Sequence, residues 1–436
     1  MGMSDLAEQG SASGLGDSIK VVVVTGASGV VGTALIEELV ANSYQLRILT
    51  RDAGRAQASL STLGLGDTVT KSIKIGTYDQ QQAILNGADA VIHLAARNND
   101  QGGDATDFDR DNCQLSGELA KAAQQNGVRR FLFATTTKAL GLSPGVYGAS
   151  KAKAETELNA MSSPDFKVSL VRLSPVYGPG SRGKIRHLSS LPLGLNKLAL
   201  VSMRSFLPIV SVDNVARGFV SLLKEQRPLE ELCLSDPINK FSIYRVFRAL
   251  MNWLFILAVP TVLGIPVIIS ALAVMLTSKG GVFFVQRRLG TRKRVFKCCK
   301  FRTMQAGTPI AGTHEVGAAY VTKVGGLLRK FKLDELPQAI NLVFREMSLI
   351  GPRPCLENQA ELIKERERYG VFGVRPGITG LGQVSGVDMS EPRQLSILDH
   401  RYAAFRGILF DIKIAIATVL GRGFGDPAAE KAPSDE

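Results

Sequence analysis

Two pairs of polar side chains in this 436-residue chain have spacings that could support catalysis. Asp334 and Glu335 lie side by side in "FKLDELPQAINLVF", where the apolar residues that follow predict a helix. The N-terminus of a helix favours ionised carboxylates, so this pair could cap the helix or form a reaction centre. Tyr147 and Lys151 lie four residues apart in "VYGASK", a spacing that places both side chains on one face of a predicted helix.

The second pair predicts acid–base chemistry, because an ammonium close to a phenol lowers the pKa of the phenol. Tyr147 would then donate or accept a proton, with Lys151 as its partner. A pair exposed on the protein surface would have the same spacing. The segments around the pair therefore have to decide between the two interpretations.

A glycine-rich turn follows an unbroken β-branched run in "IKVVVVTGASGVVGTALIEELV", residues 19–40. Gly26, Gly29 and Gly32 have G-x-x-G-x-x-G spacing, which lets the backbone approach a pyrophosphate at the N-terminus of the next helix. Such a loop is a weak signal alone, but its place directly after a strand strengthens it. The segment therefore predicts a site for a dinucleotide cofactor.

Further strands follow in the order that a doubly wound parallel sheet requires. They are "QLRILTR", "ADAVIHLAA", "RRFLFATTT" and "VSLVRLSPVYGPG", with helical patterns between several of them. A parallel sheet of this kind binds its cofactor at the carboxyl ends of the strands. Thr136 stands at one predicted strand end, and Tyr147 and Lys151 follow it.

The glycine loop, "HLAA", the threonine-rich strand end and "VYGASK" together resemble the extended short-chain dehydrogenase/reductase family. This family includes nucleotide-sugar epimerases, dehydratases and ketoreductases, and the resemblance covers about residues 18 to 235. It implies that Tyr147 is the catalytic acid or base. It also implies that Lys151 holds the nicotinamide ribose and lowers the tyrosine pKa, while Thr136 bonds to the reacting sugar oxygen.

The sequence differs from the usual pattern of this family at two places, and these differences bear on the choice of cofactor and on the type of reaction. Arg51 stands after the second strand, where NAD-using members usually carry an acid, so NADP(H) is favoured and NAD is the alternative. Thr137 and Lys138 replace the Asp-Glu pair of the dehydratases, which argues against dehydration. Ketone reduction and 4-epimerisation remain, as does a non-catalytic nucleotide-binding module, although the intact Tyr147 and Lys151 count against the last.

A stretch without charged residues runs from Leu250 to Leu276. At about 1.5 Å per helical residue it would reach roughly 40 Å, more than a hydrocarbon core of about 30 Å. Pro260 and Pro266 predict a break near its middle. Cations flank both ends, which favours a re-entrant helix-break-helix with both ends in the cytoplasm over a spanning helix.

The motifs "VQRRLG", "KFRTM", "LDELPQAINLVF", "GPRPCL" and "VRPGITGLGQVSG" closely resemble the bacterial sugar transferases, which are monotopic polyprenyl-phosphate phosphoglycosyl transferases. The resemblance runs from about residue 244 to 421. It implies that Asp334 attacks the β-phosphate of a UDP-sugar and forms a phosphosugar-aspartyl intermediate. The phosphosugar would then pass from Asp334 to undecaprenyl phosphate. It further implies that Glu335, with Asp334, holds Mg²⁺, and that Lys300, Arg302 and Arg353 contact phosphate.

Three positions depart from the pattern of this second family. Ile265 replaces the serine of the Ser-Pro pair at the membrane break, while Pro266 is retained. Lys332 stands where a serine usually precedes the Asp-Glu pair, and Cys355 stands where the family commonly has glutamate. We expect the break to persist through Pro266.

Composition narrows the range of partners. A net charge of +13 and a pI of about 9.6 predict an anionic partner. No recognised nucleic-acid-binding fold or aromatic platform accompanies the charge, so we expect a membrane and phosphorylated substrates and no nucleic acid. The five cysteines lack C-x-x-C spacing and the N-terminus lacks signal-peptide features, which favours reduced thiols in the cytoplasm.

The sequence thus predicts an α/β chain in which a Rossmann-type doubly wound parallel sheet precedes a re-entrant membrane helix and a small α-rich phosphoglycosyl transferase domain. The predicted bounds are 1–17 for a disordered N-terminus, 18–240 for the nucleotide-sugar domain, 241–279 for the membrane element, 280–422 for the transferase domain and 423–436 for a disordered tail. We expect a monotopic, bifunctional enzyme on the cytoplasmic face of the bacterial inner membrane. The oligomeric state, including a homodimer, stays open, as does the order of reduction and transfer.

Overall fold

The structure is a computed structural model that describes residues 19–98, 101–141, 145–181, 192–308 and 320–421. The chain forms two compact units. The first runs to Pro237 without Ser205–Leu207, and the second begins at Ile238 and includes those three residues. The segments 1–17 and 423–436, predicted to be disordered, lie outside the described residues.

The first unit is built on a seven-stranded parallel sheet with strand order β3-β2-β1-β4-β5-β6-β9. Its strands are β1 Val21–Thr25, β2 Gln45–Thr50, β3 Lys74–Thr77, β4 Ala90–His93, β5 Arg130–Thr136, β6 Lys167–Leu173 and β9 Glu231–Leu234, and the two-stranded pair is β7 Val176–Tyr177 with β8 Val210–Ser211. The order reverses between β1 and β4, which is where an open α/β sheet binds its ligand. The predicted doubly wound sheet is confirmed.

Helices cover the sheet because the strands are apolar on both faces. The described α-helices of this unit are α1 Val30–Ala41, α2 Ala53–Ser61, α3 Asp67–Ser72, α4 Gln81–Leu85, α5 Ala105–Asp109, α6 Leu115–Gln125, α7 Gly145–Met161, α8 Leu193–Phe206 and α9 Val212–Lys224. Side chains of α4, α6 and α7 join buried strand residues such as Val23, Phe131 and Phe133 in one core cluster. Helices α1 and α9 pack against each other.

The second unit begins with a broken apolar helix pair. Helix α10 spans Ile243–Thr261 and α11 spans Gly264–Thr277, so the predicted break is confirmed and lies at Val262 and Leu263. Pro260 lies in the last turn of α10, and Pro266 lies in the first turn of α11, where a missing N–H costs no helical hydrogen bond. By length and composition α10 could cross a membrane, and α11 is a shorter apolar helix.

The rest of the second unit combines short helices with small sheets. Its elements are the antiparallel hairpin β10 Phe283–Leu289 and β11 Val295–Phe301, the parallel pair β12 Ser348–Ile350 and β13 Gly377–Thr379, and the helices α12 Lys323–Lys330, α13 Ala339–Val343, α14 Ala360–Arg368, α15 Leu381–Val384, α16 Pro392–Phe405 and α17 Ile408–Val419. A 3₁₀ helix at Leu333–Gln338 precedes α13. Pro337 removes the N–H that an α-helix would bond to Leu333, so the predicted helix opens as this tighter turn.

Candidate active sites

The glycine turn after β1 is too tight for any larger residue at two positions. Gly26 has φ +71°, and a Cβ there would lie 2.8 Å from the backbone nitrogen of Ala95. A Cβ on Gly32 would lie 2.2 Å from the carbonyl oxygen of Gly26. Gly29 caps α1 and donates to the carbonyl of Gly26 over 3.0 Å. Backbone thus occupies the space where side chains would stand, and the open N-terminus of α1 suits a pyrophosphate.

A buried histidine lies beneath this turn. His93, at the end of β4, contacts the Thr25 hydroxyl through Nδ1 over 2.7 Å and the Ser116 hydroxyl through Nε2 over 2.9 Å. Burial and the charge of Lys151 lower the pKa of His93 to about 3, so the ring is neutral. Sequence reasoning missed this contact, although a histidine at the end of an apolar strand was a visible signal.

Arg51 directly follows β2, and its side chain is 69% exposed. Its guanidinium lies 3.9 Å from a carboxylate oxygen of Asp111. The next residue, Asp52, accepts a hydrogen bond from the backbone N–H of Arg55 over 2.9 Å and caps α2. The acid at this strand end is therefore engaged with its own helix, whereas the arginine is accessible.

Tyr147 and Lys151 both lie on α7, as predicted, but their environment differs from the prediction. Lys151 is 1% exposed, donates to the carbonyl of Ala134 over 3.0 Å and lies 4.2 Å from the centre of the Phe133 ring. Burial lowers the pKa of Lys151 to about 7 and raises the pKa of Tyr147 to about 12. The predicted lowering of the tyrosine pKa is therefore wrong for this conformation, because the ammonium bonds to β5.

Thr136 ends β5 and caps the 3₁₀ turn Thr137–Leu140, with its hydroxyl accepting from the N–H of Lys138 over 3.3 Å. The Lys138 ammonium lies 5.8 Å from the centre of the Tyr147 ring. The turn that follows Thr136 and the first turn of α7 therefore face each other, which places a hydroxyl and a phenol at the same end of the sheet.

Sequence reasoning missed a buried ion cluster behind these residues. Arg172 on β6 has no exposed surface and bonds to Glu155 and Glu231 over 2.9 Å, and it donates to the Thr136 carbonyl over 3.0 Å. Glu155 also accepts from the Thr135 hydroxyl. The arginine inside the apolar run "SLVRLS" was the only sequence signal, and its partners lie 17 and 59 positions away.

The transferase-like site centres on the 3₁₀ helix, where Asp334 and Glu335 are 8% and 7% exposed. The Lys300 ammonium, from β11, donates to Oε1 of Glu335 over 2.7 Å. A guanidinium nitrogen of Arg353 lies 3.1 Å from the same oxygen. Burial acts to raise the pKa of Glu335, but Lys300 and Arg353 outweigh it and hold the value at about 2.

Asp334 has a different environment from its neighbour. Among the described residues, none bonds to its carboxylate or forms an ion pair with it, since Lys300 and Arg353 reach Glu335 instead. Burial raises the pKa of Asp334, while the positive charge of Lys300 opposes the rise. One carboxylate is thus fixed by two cations, and the other is left available for chemistry.

The other residues predicted for this site differ in whether they reach the Asp334–Glu335 pair. Lys332 lies in the left-handed region at φ 55°, and burial lowers its pKa. Arg302 lies beyond the end of β11 and donates to the carbonyl of Gly281 over 2.8 Å. The structure thus brings Lys300 and Arg353 to the pair and directs Arg302 to the start of β10. Cys355 is fully buried, and Ile265 is exposed on α11.

Two arginines that sequence reasoning missed hold the loop that carries Arg353. Arg366 donates to the Arg353 carbonyl over 2.8 Å and forms a buried ion pair with Asp399 at 2.7 Å. Arg288 donates to the Pro354 carbonyl over 2.8 Å. Both bonds fix the backbone directly after the Arg353 side chain. Neither pairing has a local sequence signal, because the partners lie 13 to 66 positions apart.

A divalent cation fits this site only with help from a substrate. In the part of the chain that the structure describes, no three His, Cys, Asp or Glu side chains come together as a metal centre. Both cations contact Oε1 of Glu335, which leaves Oε2 and the Asp334 carboxylate as oxygen donors. Mg²⁺ is commonly held by one or two carboxylates together with phosphate oxygens and water, so these donors suit it.

Comparisons with known proteins agree with the two-part organisation. The family model of the bacterial sugar transferases matches residues 243–422, and that of the NAD dependent epimerase/dehydratase family matches residues 22–232. The exopolysaccharide production protein ExoY of Sinorhizobium fredii is 35% identical over 173 residues, which cover 35% of this chain and 76% of that protein.

Two further similarities extend the comparison. The UDP-glucose:undecaprenyl-phosphate glucose-1-phosphate transferase of Escherichia coli is 38% identical over 172 residues, which cover 36% of each chain. Among solved structures, the UDP-N-acetylglucosamine 4-epimerase of Bacillus cereus is similar with 20% identity and a TM-score of 0.38, over 53% of this chain and 84% of that one.

Proposed function

We propose that this chain, which belongs to the bacterial sugar transferase family and carries an NAD dependent epimerase/dehydratase domain ahead of the transferase, moves a phosphosugar from a UDP-sugar to undecaprenyl phosphate. The name of the Escherichia coli relative supports both the donor and the acceptor. The observation that supports the proposal most directly is the difference between the environments of Asp334 and Glu335. Glu335 is fixed by Lys300 and Arg353, while Asp334 is buried and unpaired among the described residues.

In the first step the Asp334 carboxylate attacks the β-phosphorus of the UDP-sugar. A bond forms between a carboxylate oxygen and phosphorus, and the bond to the bridging oxygen of the diphosphate breaks. UMP leaves with that oxygen and its electron pair, and the phosphosugar remains as an acyl phosphate on Asp334. Burial supports this role, because a carboxylate with less water around it and a raised pKa is a better nucleophile.

In the second step a phosphate oxygen of undecaprenyl phosphate attacks the same phosphorus. The acyl phosphate bond breaks, its electron pair returns to Asp334, and a sugar joined to the lipid by a diphosphate is released. Lys300 and Arg353 lie where they would stabilise the negative charge that develops on the phosphoryl oxygens. Glu335 and Asp334 would hold Mg²⁺, and that ion would neutralise part of the charge.

For the first unit we propose NADP(H)-dependent reduction of a 4-keto sugar, carried by a UDP-sugar or by the lipid-linked product. The glycine turn provides the space for the cofactor pyrophosphate, and Arg51 offers a cation for a 2′-phosphate, while Asp52 caps α2. Lys151 would hold the ribose, and Thr136 would bind the sugar oxygen. NAD is the alternative cofactor.

The protonation state of Tyr147 favours reduction over 4-epimerisation. Burial raises its pKa to about 12, so the phenol is protonated at neutral pH and can donate its proton to the oxygen that hydride transfer makes negative. Epimerisation begins with removal of a proton from a hydroxyl, a step that a high tyrosine pKa disfavours. A non-catalytic nucleotide-binding module would require neither the half-buried Tyr147 nor the buried Lys151.

We also propose that α10 and α11 enter one leaflet of the membrane and return, so that both units remain on the cytoplasmic face. Large apolar side chains of these helices, such as Leu254, Leu257 and Ile268, are exposed in this monomer. The break at Val262 and Leu263 falls between two apolar halves. Both units would then have access to cytoplasmic nucleotides, as a monotopic enzyme requires.

The test is product analysis with purified membranes that contain the full chain. We expect UMP release from a UDP-sugar that depends on undecaprenyl phosphate for turnover, and a lipid-linked phosphosugar detected by mass spectrometry. With a 4-keto UDP-sugar and NADPH, we expect the product mass to rise by the two hydrogens of the reduction. Absence of UMP release across a panel of UDP-sugars would contradict the transferase assignment, and absence of NADPH oxidation would contradict the reductase assignment.

A further inference from the structure

Four arginines from three separate parts of the second unit converge near the start of the first apolar helix. Arg245 and Arg248 lie three positions apart in the first turns of α10, just before the charge-free stretch. Arg345 lies three residues before β12, and Arg375 lies two residues before β13. The first residues of these two strands, Ser348 and Gly377, are register partners in the parallel pair.

Hydrogen bonds fix α10 onto β12 and so bring the arginines together. Arg248 donates to the Ser348 hydroxyl over 2.9 Å and to the Ile350 carbonyl over 2.6 Å. One turn further along, the Asn252 side chain accepts from the backbone N–H of Leu349 over 2.9 Å. The face of α10 that carries Arg245 and Arg248 is therefore the face against the strand that Arg345 precedes.

Electrostatics show that the group is strongly positive. Burial lowers the pKa of Arg375, and the charges of Arg248, Arg345 and Arg245 lower it further. None of Arg245, Arg345 and Arg375 forms an ion pair with a residue that the structure describes. Of the acids nearby, Glu346 accepts from Asn341, whereas Asp411 accepts from the Tyr244 hydroxyl and its charge also acts on Arg248, whose pKa it helps to raise against the effect of burial. Asp411 offsets part of the charge of Arg248 only, and like charges held close together with so little counter-charge are costly, which points to an anion that binds among them.

Exposed apolar side chains flank these charges. Leu250 and Trp253 are exposed on α10, and Val343 and Phe344, which directly precede Arg345, are exposed on and after α13. Helices α10 and α13 pack against each other, so the two apolar groups belong to one region. Arginines at the end of an apolar helix, beside an exposed tryptophan, are typical of the level at which lipid phosphates lie.

We propose that Arg245, Arg248, Arg345 and Arg375 form a binding site for the phosphate of an anionic phospholipid headgroup. The site lies at the far end of the 3₁₀–α13 segment from Asp334, so it is separate from the catalytic pair. A lipid bound there would fix the height and orientation of the second unit at the membrane surface. The proposal rests on the proposed function only in that α10 and α11 enter a membrane.

The experiment titrates the detergent-solubilised full chain with phosphatidylglycerol and counts bound lipid by native mass spectrometry. Phosphatidylcholine is the neutral lipid, and inorganic phosphate is the soluble anion. The test variant is Arg345→Asn with Arg375→Gln, because asparagine tolerates the left-handed conformation that Arg345 adopts at φ 58°. The control is Arg294→Gln with Lys364→Gln, which removes two exposed cations from a hairpin turn and from α14.

We expect one phosphatidylglycerol to bind the unaltered chain in preference to phosphatidylcholine. Its dissociation constant should rise about 25-fold in the test variant, about fivefold for each arginine, and stay unchanged in the control. Arg345→Asn alone, at an exposed position, should raise the dissociation constant about fivefold, even if the Arg375 change disturbs folding. Inorganic phosphate at millimolar concentration should leave the lipid bound.

Three results would overturn the proposal. They are equal affinity for both lipids, an equal loss in the control variant, and displacement of the lipid by inorganic phosphate, which would make the site one for a soluble anion. Release of UMP in the same detergent reports separately on the transferase. If no chain releases UMP, the proposed function fails, but the lipid titration still decides this site.

Discussion

Lys151 and Glu335 are both almost fully buried, yet burial decides the charge state of only one of them. Lys151 has a backbone carbonyl and an aromatic ring as neighbours, and its pKa falls to about 7. Glu335 has Lys300 and Arg353 as neighbours, and its pKa falls to about 2 although burial opposes the change. A buried group keeps its charge when opposite charges surround it and tends to lose the charge when only dipoles do.

This difference matches the chemistry that each site is proposed to perform. The first site moves one proton, so a protonated Tyr147 and a lysine that titrates near neutrality suit it. The second site handles a diphosphate, so permanent cations beside an ionised Glu335 suit it. Four experiments can break or sharpen this comparison.

Asp334→Asn should have the largest effect. The amide has the same shape but cannot form the acyl phosphate, so we expect UMP release to fall at least about 1000-fold. The measurement is UMP production from the UDP-sugar. The matched control, Glu361→Gln, removes an exposed acid from α14 and should leave the rate unchanged. Near-normal UMP release by Asp334→Asn would mean that Asp334 is not the nucleophile of the second site.

Tyr147→Phe should abolish reduction but not transfer. Loss of the proton donor should lower NADPH oxidation by about 100- to 10,000-fold, whereas UMP release should stay within about twofold of the unaltered chain. Both rates can be followed in one preparation, which makes each the control for the other. A parallel loss of both activities would mean that the two sites are not chemically independent.

Arg51→Asp should change the cofactor preference and leave the reaction itself unchanged. An acid at this strand end repels a 2′-phosphate and can bond to the ribose hydroxyls instead. We expect the preference for NADPH over NADH to fall by about 10- to 100-fold in kcat/KM. Arg55→Gln, one helical turn along, is a control for general loss of positive charge. An unchanged preference would argue that NAD is the natural cofactor.

The smallest effect concerns the pH dependence of stability. The folded Lys151 has a pKa of about 7 against 10.5 for the unfolded residue, so the unfolded chain binds more protons between these values. Lys151 therefore makes the free energy of unfolding of the first unit rise with pH between about 7 and 10.5, by up to about 1.4 kcal/mol per pH unit. Denaturant unfolding at pH 7 and 9 measures the slope, and Lys151→Met should lack it. Equal slopes in both chains would show that Lys151 is charged throughout.

Local patterns were sufficient to predict several of the elements. The β-branched run before Gly26, the alternating strands and helices, and the two prolines of the apolar stretch each act on the backbone nearby. The sheet and the helix break follow from such local effects. The family resemblance supplied Lys300 and Arg353 as phosphate contacts, and the structure brings both to Glu335.

Long-range contacts could not be predicted in this way. The bonds of Arg172 to Glu231 and of Arg366 to Asp399 join residues 59 and 33 positions apart. Burial raises the pKa of Tyr147, and the Lys151 ammonium donates to the Ala134 carbonyl, neither of which the spacing of the two residues reveals. Arg302 shares a motif with Lys300 but lies beyond the strand end, so its side chain reaches a different backbone.

The central claim is that Asp334 carries the phosphosugar between donor and acceptor. The most direct measurement incubates the purified full chain with a UDP-sugar and without undecaprenyl phosphate, followed by rapid denaturation and peptide mass spectrometry. The account predicts a phosphohexose adduct on the peptide that contains Asp334, together with a stoichiometric burst of UMP, and neither in Asp334→Asn. UMP release only when undecaprenyl phosphate is present, with no adduct on any peptide, would indicate direct transfer and contradict the account.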